Sequence, residues 1–189
     1  MEINNYIENR WSPRAFADKT IELDLLKSLF TAGGRAPSSS NEQPWSFMMG
    51  KAGSNTYDLI YSTLVDFNKV WCKTAPVLVI GIVDTISEKS GEENKYAKYD
   101  LGASVAHLTM KAFDHNLFVH QMAGFDAEKC NELFHIPENH KTVVAFAIGY
   151  LGDKNQLPEK IAALENGVSD RKPVEDYLFE DEWKKKTFR

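Results

Sequence analysis

The sequence predicts a single domain in which helices pack on a mixed β-sheet. Its 189 residues suffice for one substantial hydrophobic core, and 43% of them are apolar. Apolar runs of strand length alternate with segments whose apolar residues recur at helical spacing, a pattern that favours helices packed on a sheet. No internal repeat, low-complexity segment or domain boundary is visible. We therefore expect residues 1–189 to form one domain.

The first predicted elements are a short helix, an extended arm and a second helix. Ile3, Tyr6 and Ile7 recur at helical spacing, and the arm over 10–14 ends that pattern. Thr20 is then expected to cap the second helix. The buried face of this helix is expected to consist of Ile21, Leu25, Leu29 and Phe30, before Gly33 and Gly34 end it.

The next part of the chain alternates between strand and helix periods. The expected elements are a polar loop over 35–43, a strand over 45–49, a helix with apolar residues at Tyr57, Ile60, Tyr61, Leu64 and Phe67, and a buried strand over 76–83. They continue with a charged surface excursion over 84–98, a helix over 99–115, a strand over 117–121, a helix from its Asp126 cap through Phe134, and a strand over 142–150.

The remaining residues, 151–189, form an apolar tail. Tyr177, Leu178 and Trp183 need a surface to cover, which is either their own chain or a second copy. The second of these interpretations is a homodimer.

Charge and targeting features argue against several functions. The formal net charge of −5 argues against a nucleic-acid surface, which needs a concentration of Lys and Arg. The polar, acidic start lacks the features of a signal peptide, and the longest apolar run, over 76–83, is too short to cross a bilayer. Cys72 and Cys130 stand far apart, without the spacing of a zinc site or a disulfide framework. We therefore expect a cytoplasmic protein that binds neither nucleic acid nor membrane.

Common catalytic motifs are missing from the sequence. The five histidines lack metal-ligand spacing, so no metal is expected and each is interpreted as a surface or satisfied core residue. They are His107, His115, His120, His135 and His140. There is also no serine-hydrolase elbow, phosphate loop or Gly-x-Gly-x-x-Gly fingerprint. A nicotinamide nucleotide bound in a Rossmann site is therefore disfavoured.

The arm carries a candidate anion site. Arg10, Ser12 and Arg14 occupy alternate positions, so an extended backbone points them the same way. Two guanidinium groups and a hydroxyl are able to grip a phosphate through charge-assisted hydrogen bonds. Arg171 and Lys172 would add charge if the tail folds back. The alternative is a solvated basic arm, and the pattern alone leaves both interpretations open.

A second candidate site lies in the polar loop. Its hydroxyl and amide groups, held between two prolines, are able to hydrogen-bond a polar heterocycle. These residues are Pro37, Ser38, Ser39, Ser40, Asn41, Gln43 and Pro44. A solvent-facing turn uses the same residue types, so both interpretations stay open.

Taken together, five segments resemble the nitroreductase family. Arg-Trp-Ser-Pro-Arg-Ala-Phe over 10–16 is similar to its N-terminal Arg-x-Ser-x-Arg-x-Phe signature. Pro-Ser-Ser-Ser-Asn-Glu-Gln-Pro-Trp over 37–45 is similar to its Pro-Ser-Ser-x-Asn-x-Gln-Pro-Trp loop, the most specific match. Tyr-Asp-Leu-Gly-Ala over 99–103 resembles the family's central helix. Ala-Ile-Gly-Tyr over 147–150 and Arg-Lys-Pro over 171–173 resemble its closing segments.

The resemblance implies an α+β homodimer. Its central sheet would be mixed and mainly antiparallel, flanked by helices, and a C-terminal arm would cross to the partner subunit. FMN would bind at each of two subunit interfaces. Because the flavin carries the chemistry, no side chain is expected to act as an acid or base.

The resemblance also assigns roles to the matching residues. The phosphate and ribityl end of FMN would be held by Arg10, Trp11, Ser12 and Arg14, with help from Arg171 or Lys172. The flavin of the partner subunit would be approached by Pro37, Ser38, Ser39 and Asn41. Asn68 would meet the pyrimidine side of the ring, and backbone N–H groups near the flavin N5 would come from Ala123 and Gly124.

The implied activity is that of an oxidoreductase with ping-pong kinetics. NADH or NADPH would deliver hydride to the flavin, leave, and be replaced by a small acceptor such as a nitro compound or a quinone. Asn68 or Lys69 is the candidate for stabilising the reduced flavin. The alternative is a flavin-binding redox sensor or FMN carrier without turnover.

Overall fold

The central sheet has four strands that all pair antiparallel. The structure is a computed structural model that describes residues 4–187. The strands are β1 (Trp45–Lys51), β2 (Val77–Asp84), β3 (Leu117–Met122) and β4 (His140–Tyr150). Their order across the sheet is β1-β2-β4-β3, and each neighbouring pair is antiparallel. The predicted α+β fold with a mainly antiparallel sheet is therefore confirmed.

Helices cover both faces of this sheet. They are α1 (Asn5–Asn9), α2 (Leu23–Gly33), α3 (Asn55–Thr63), α4 (Asp66–Cys72), α5 (Ala97–Phe113), α6 (Ala127–Leu133) and α7 (Glu159–Ala162). Helices α2 and α5 pack on the face that carries Val79 and Phe146, whereas α3, α4 and α6 pack on the face that carries Ile80 and Ala145. The alternation of side chains along β2 and β4 separates the two cores. Within residues 4–187, no helix is both long and apolar enough to span a membrane.

Most expected elements lie within two residues of their predicted bounds. The Asp126 cap is present, since its carboxylate accepts a hydrogen bond of 2.9 Å from the Lys129 N–H. The excursion over 84–98 is mainly exposed, and α5 already begins at its end. Ile3 of the first predicted helix and the outermost residues of the predicted domain, 1–3 and 188–189, lie outside the described range.

The predicted Thr20 cap is wrong. Helix α2 begins only at Leu23, and Glu22 occupies its N-cap position without a side-chain capping bond. The reason is tertiary, because Ile21 is buried in the core on the α2 side of the sheet and the backbone at Glu22 is still extended. The side chain of Leu26, rather than that of Leu25, is fully buried on the helix.

The single helical stripe predicted over Tyr57–Phe67 is broken into α3 and α4. Leu64 and Val65 are extended between the two helices. Leu64 forms an antiparallel bridge with Phe125, and the Val65 N–H donates to the Gly124 carbonyl over 3.1 Å. These contacts with a distant segment compete with helix continuation, and they leave Phe67 49% exposed at the start of α4.

The tail packs on its own chain only in its first part. Leu157, Ile161 and Glu165 are buried, whereas no residue from 166 to 187 is. Tyr177 is 63% exposed and Trp183 is 82% exposed. The expectation that this segment covers a partner subunit stays a prediction.

Candidate functional site

Three guanidinium groups line one cavity. Arg10 and Arg14 come from the arm after α1, and Arg171 comes from the tail. The cavity has a volume of about 390 Å³. Its other lining residues are Trp11, Ser12, His120, Gln121, Leu164, Asn166, Gly167 and Ser169. No Asp or Glu is among the lining residues, so the cavity concentrates positive charge.

The arm is held in place at its C-terminal end. The Phe16 side chain is fully buried and stacks on Trp71, with ring centroids 6.3 Å apart. Its backbone forms an antiparallel bridge with Leu151, and the Gly152 N–H donates to the Ala15 carbonyl over 2.9 Å. Trp11 packs edge-on against Phe118, with centroids 6.2 Å apart. These contacts fix the backbone from which the two arm arginines extend.

The charges of this cavity favour a bound anion. Burial, and then the positive charge of Arg171, lower the pKa of Arg10. The Nε atom of Arg14 is buried and has no hydrogen-bond partner among residues 4–187. Like charges held together with an unmet buried donor are stabilised by an oxyanion. The residues present therefore fit a phosphate group.

His120 backs this cavity. Its Nδ1 atom lies 2.9 Å from the Pro13 carbonyl, and because a carbonyl only accepts, Nδ1 carries the proton. Burial, with a smaller contribution from the Arg14 charge, lowers the pKa of His120 to about 4. The side chain is therefore neutral at physiological pH. Its interpretation as a satisfied residue holds, but its place beside the cavity was not predicted.

Asn68 and Gly124 lie together next to the cavity. The Asn68 side chain is buried, and its Nδ2 donates to the Gly124 carbonyl over 2.9 Å. A Cβ atom at Gly124 would lie 2.8 Å from both Asn68 Nδ2 and Val65 Cγ2, so a side chain here would displace one of these two residues. The Gly124 N–H donates to no acceptor in the part of the chain that the structure describes. Ala123 is exposed beside it.

The connection from this pair to the cavity runs through α4 and β3. The Arg14 guanidinium carbon is 6.0 Å from the centroid of the Phe67 ring, the residue before Asn68. Gln121, which lines the cavity, comes two residues before Ala123 on the same strand end. The structure thus brings the predicted phosphate residues and the predicted ring residues of one chain to one surface. Lys69 instead pairs with Asp66 across 3.7 Å.

The predicted serine loop lies elsewhere on the chain. The Ser39 N–H donates to Asp100 at the start of α5 over 3.1 Å, and the Gln43 N–H donates to Ser38 Oγ over 3.0 Å. Left-handed backbone angles occur at Ser40 (φ 50°), Asn41 (φ 55°) and Gln43 (φ 51°). The loop also includes Pro37, which is exposed.

Within a single chain, the serine loop and the arginine cavity are not adjacent. Phe113, at the opposite end of α5 from Asp100, packs on Phe118, and Phe118 contacts Trp11 of the arm. Because α5 has 17 residues, its two ends are about 25 Å apart. Of the two predicted tail cations, Arg171 lines the cavity, whereas Lys172 is exposed and is not among its lining residues.

Comparisons with known proteins identify the family of the chain. The model of the nitroreductase family matches residues 7–64, which include the arm and the serine loop. A 15.4 kDa protein of Mycolicibacterium smegmatis, itself uncharacterised, is 30% identical over 140 residues, which are 71% of this chain and 91% of that protein. A crystal structure described as an oxidoreductase containing FMN superposes with a TM-score of 0.92 at 32% identity, covering 98% of this chain and 95% of the other. The chain belongs to the nitroreductase family.

The fold of this nitroreductase-family protein recurs in more distant structures. A nitroreductase family protein from Clostridium novyi NT superposes with a TM-score of 0.68 at 22% identity, covering 99% of this chain and 98% of the other. The family resemblance predicted from the motifs is confirmed. As a nitroreductase-family protein, the chain is an oxidoreductase.

Proposed function

We propose that this protein is an FMN-dependent oxidoreductase that takes hydride from NADH or NADPH and reduces a small acceptor. The observation that supports it most directly is the cavity lined by Arg10, Arg14 and Arg171 with no carboxylate among its lining residues. A phosphate monoester carries close to two negative charges at neutral pH, which suits three guanidinium groups. The FMN-containing oxidoreductase that superposes on the whole chain supports the choice of this cofactor.

The phosphate and ribityl end belongs to the arm. Arg10, Arg14 and Ser12, which line the cavity, would donate to phosphate oxygens, and Arg171 would close the cavity from the tail. Trp11 lines the same cavity and packs against Phe118, so it shapes the wall beside the ribityl chain. Lys172 is not part of the proposal, because its side chain does not line the cavity.

The ring end belongs to Asn68, Ala123 and Gly124. The Gly124 N–H is an available donor beside the cavity, and it suits a ring nitrogen of the flavin. Asn68 is oriented by its bond to the Gly124 carbonyl, and its amide would meet the pyrimidine side of the ring. When bound, FMN supplies the two-electron chemistry between the nicotinamide and the acceptor.

No side chain of the cavity is needed as a proton donor or acceptor. His120 is the titratable residue most open to such a role, but it is neutral at pH 7 and its ring N–H is engaged by the Pro13 carbonyl. The chain's own residues therefore bind, orient and exclude water. The acceptor replaces the nicotinamide in one space, which gives ping-pong kinetics.

A homodimer completes the site. Asp100, which binds the serine loop, lies about 20 Å along α5 from Phe113 at the arm side of its own chain, and this separation supports a loop that reaches the flavin of a second copy. Tyr99 on α5 is 79% exposed, and the apolar tail residues lack a surface on their own chain. We infer that α5 and the tail arm form the contact between two subunits.

An anaerobic visible spectrum of the purified protein, before and after NADH or NADPH is added, tests the proposal. We expect flavin bands after reconstitution with FMN, and we expect them to bleach within seconds of adding one of the two nucleotides. Bands that persist with both nucleotides would favour a redox sensor or an FMN carrier. A protein that takes up no FMN would contradict the assignment of the cavity.

A further inference from the structure

A buried carboxylate lies directly behind the arginine cavity. Glu165 follows α7 and is only 8% exposed. One of its oxygens, Oε1, accepts a hydrogen bond from the backbone N–H of Arg14, which is 151 residues away in the sequence. The residues on either side of it, Leu164 and Asn166, line the cavity. Glu165 thus joins the tail to the arm at Arg14, the residue whose Nε has no hydrogen-bond partner among residues 4–187.

Both partners of this contact retain an unused polar atom. The second oxygen of Glu165, Oε2, is buried and has no hydrogen-bond partner among residues 4–187. The same holds within those residues for Nε of Arg14. A buried polar atom without a partner is costly, and here the orphan donor and the orphan acceptor belong to two residues already joined by one hydrogen bond.

We propose that Glu165 is the positioning residue for Arg14 in phosphate binding. When the two terminal amino groups of Arg14 engage the phosphate, its Nε–H donates to Oε2 of Glu165, so both orphan atoms become satisfied. The planar guanidinium allows this, because its five N–H donors point to different sides of one rigid fork. This inference rests on the proposed function, since the phosphate is that of FMN.

Charge balance favours the same pairing. The cavity holds the positive charges of Arg10, Arg14 and Arg171, and a phosphate monoester brings close to two negative charges. The carboxylate of Glu165 supplies the third negative charge from behind, where it does not compete for the phosphate position. If Glu165 instead acted only as a rival anion, its removal would strengthen phosphate binding.

Glu165→Gln separates these two roles. The amide keeps an oxygen that accepts the Arg14 backbone N–H, but its NH₂ group cannot accept from Nε. We expect the dissociation constant of FMN, measured by quenching of flavin fluorescence, to rise about tenfold, as befits one charge-assisted hydrogen bond. The dissociation constant of riboflavin, which lacks the phosphate, is expected to stay unchanged.

Glu159→Gln is the matched control. Glu159 is the first residue of α7, is exposed, and loses the same charge in the variant. Its FMN affinity is expected to equal that of the unaltered protein. In Arg14→Ala, the further change Glu165→Gln should have little added effect, because the guanidinium that Glu165 positions is gone.

Three outcomes would overturn the positioning role. The first is an equal loss of FMN and riboflavin affinity, which would indicate a purely structural Glu165. The second is an unchanged FMN affinity, and the third is an increased FMN affinity. A titration with inorganic phosphate, in which the thermal unfolding midpoint is the readout, separates this role from the proposed function. If phosphate stabilises the unaltered protein more than Glu165→Gln while FMN does not bind, the proposed function fails and the positioning role stands. If neither FMN nor phosphate binds, both fail.

Discussion

The arginine cavity and the serine loop are both rich in hydrogen-bond donors, but they differ in how those donors are used. In the cavity, Nε of Arg14 is buried without a partner among residues 4–187. In the loop, the Ser39 and Gln43 N–H groups already have acceptors inside their own chain. A buried donor without a partner in its own chain favours a site for an anionic ligand, whereas a loop whose donors are satisfied can present a fixed surface to another subunit.

The largest expected difference between the two regions is their response to acid. His120 backs the cavity and has a folded pKa of about 4, whereas an unfolded histidine titrates near 6.5. Between these values the unfolded chain binds a proton that the folded chain does not. The free energy of unfolding should therefore fall as the pH drops from 6.5 to 4, by roughly 3 kcal/mol.

Urea unfolding at several pH values checks this prediction. His120→Gln keeps a donor for the Pro13 carbonyl but does not titrate, so the acid-dependent component should disappear. His115→Gln, at an exposed position, should retain it. Hydrogen exchange at pH 5 should show that the arm loosens before the serine loop does, and an equal response of both regions would remove the distinction between them.

The next largest effect concerns the phosphate. Arg14→Ala should reduce FMN affinity about thirtyfold, or by about 2 kcal/mol, because it removes a charge-assisted contact from a partly buried site. Isothermal titration with FMN measures this change. Lys27→Ala is the control, since Lys27 is an exposed cation on α2 that does not line the cavity. A comparable loss in both variants would mean that general positive charge, rather than the cavity, attracts FMN.

The smallest expected effect concerns the loop. Asp100→Asn replaces the charged acceptor of the Ser39 N–H by a neutral one, and it should lower the free energy of unfolding by about 1 kcal/mol. Asp24→Asn, an exposed carboxylate on α2, should change it far less. FMN affinity should fall in Asp100→Asn only at protein concentrations that permit dimers. A loss that persists at concentrations too low for dimers would contradict a loop contribution from the second subunit.

The sequence was most informative where the chain itself is regular. The apolar runs of β2 and β4 predicted buried strands, and the arm motif predicted two of the three cavity arginines. The break at Leu64 and Val65 was missed because it depends on a bridge to Phe125, about sixty residues away. Thr20 was a plausible cap by local chemistry, and only the burial of Ile21 shows that the helix starts later.

The same distinction applies to the site. The sequence predicted that Arg10, Ser12 and Arg14 lie together because their spacing is local, but it gave no preference between Arg171, which lines the cavity, and Lys172. Glu165 was not predicted, because its significance lies in a contact that spans 151 residues and no local pattern records it. Alternation along β3 offered a weak signal for His120, which shares a face of the strand with Phe118 and the buried Met122.

The wide sequence separation of the cavity residues has a consequence for biosynthesis. The arm is made first, and its counterpart from 164 to 171 emerges from the ribosome near the end of translation. Contacts between distant parts of a chain form late, since the entropy of closing a long loop must be overcome before they stabilise anything. Cofactor capture is therefore one of the last steps of maturation, and a nascent chain that stalls before residue 164 contains every strand of the sheet but no cavity for a phosphate.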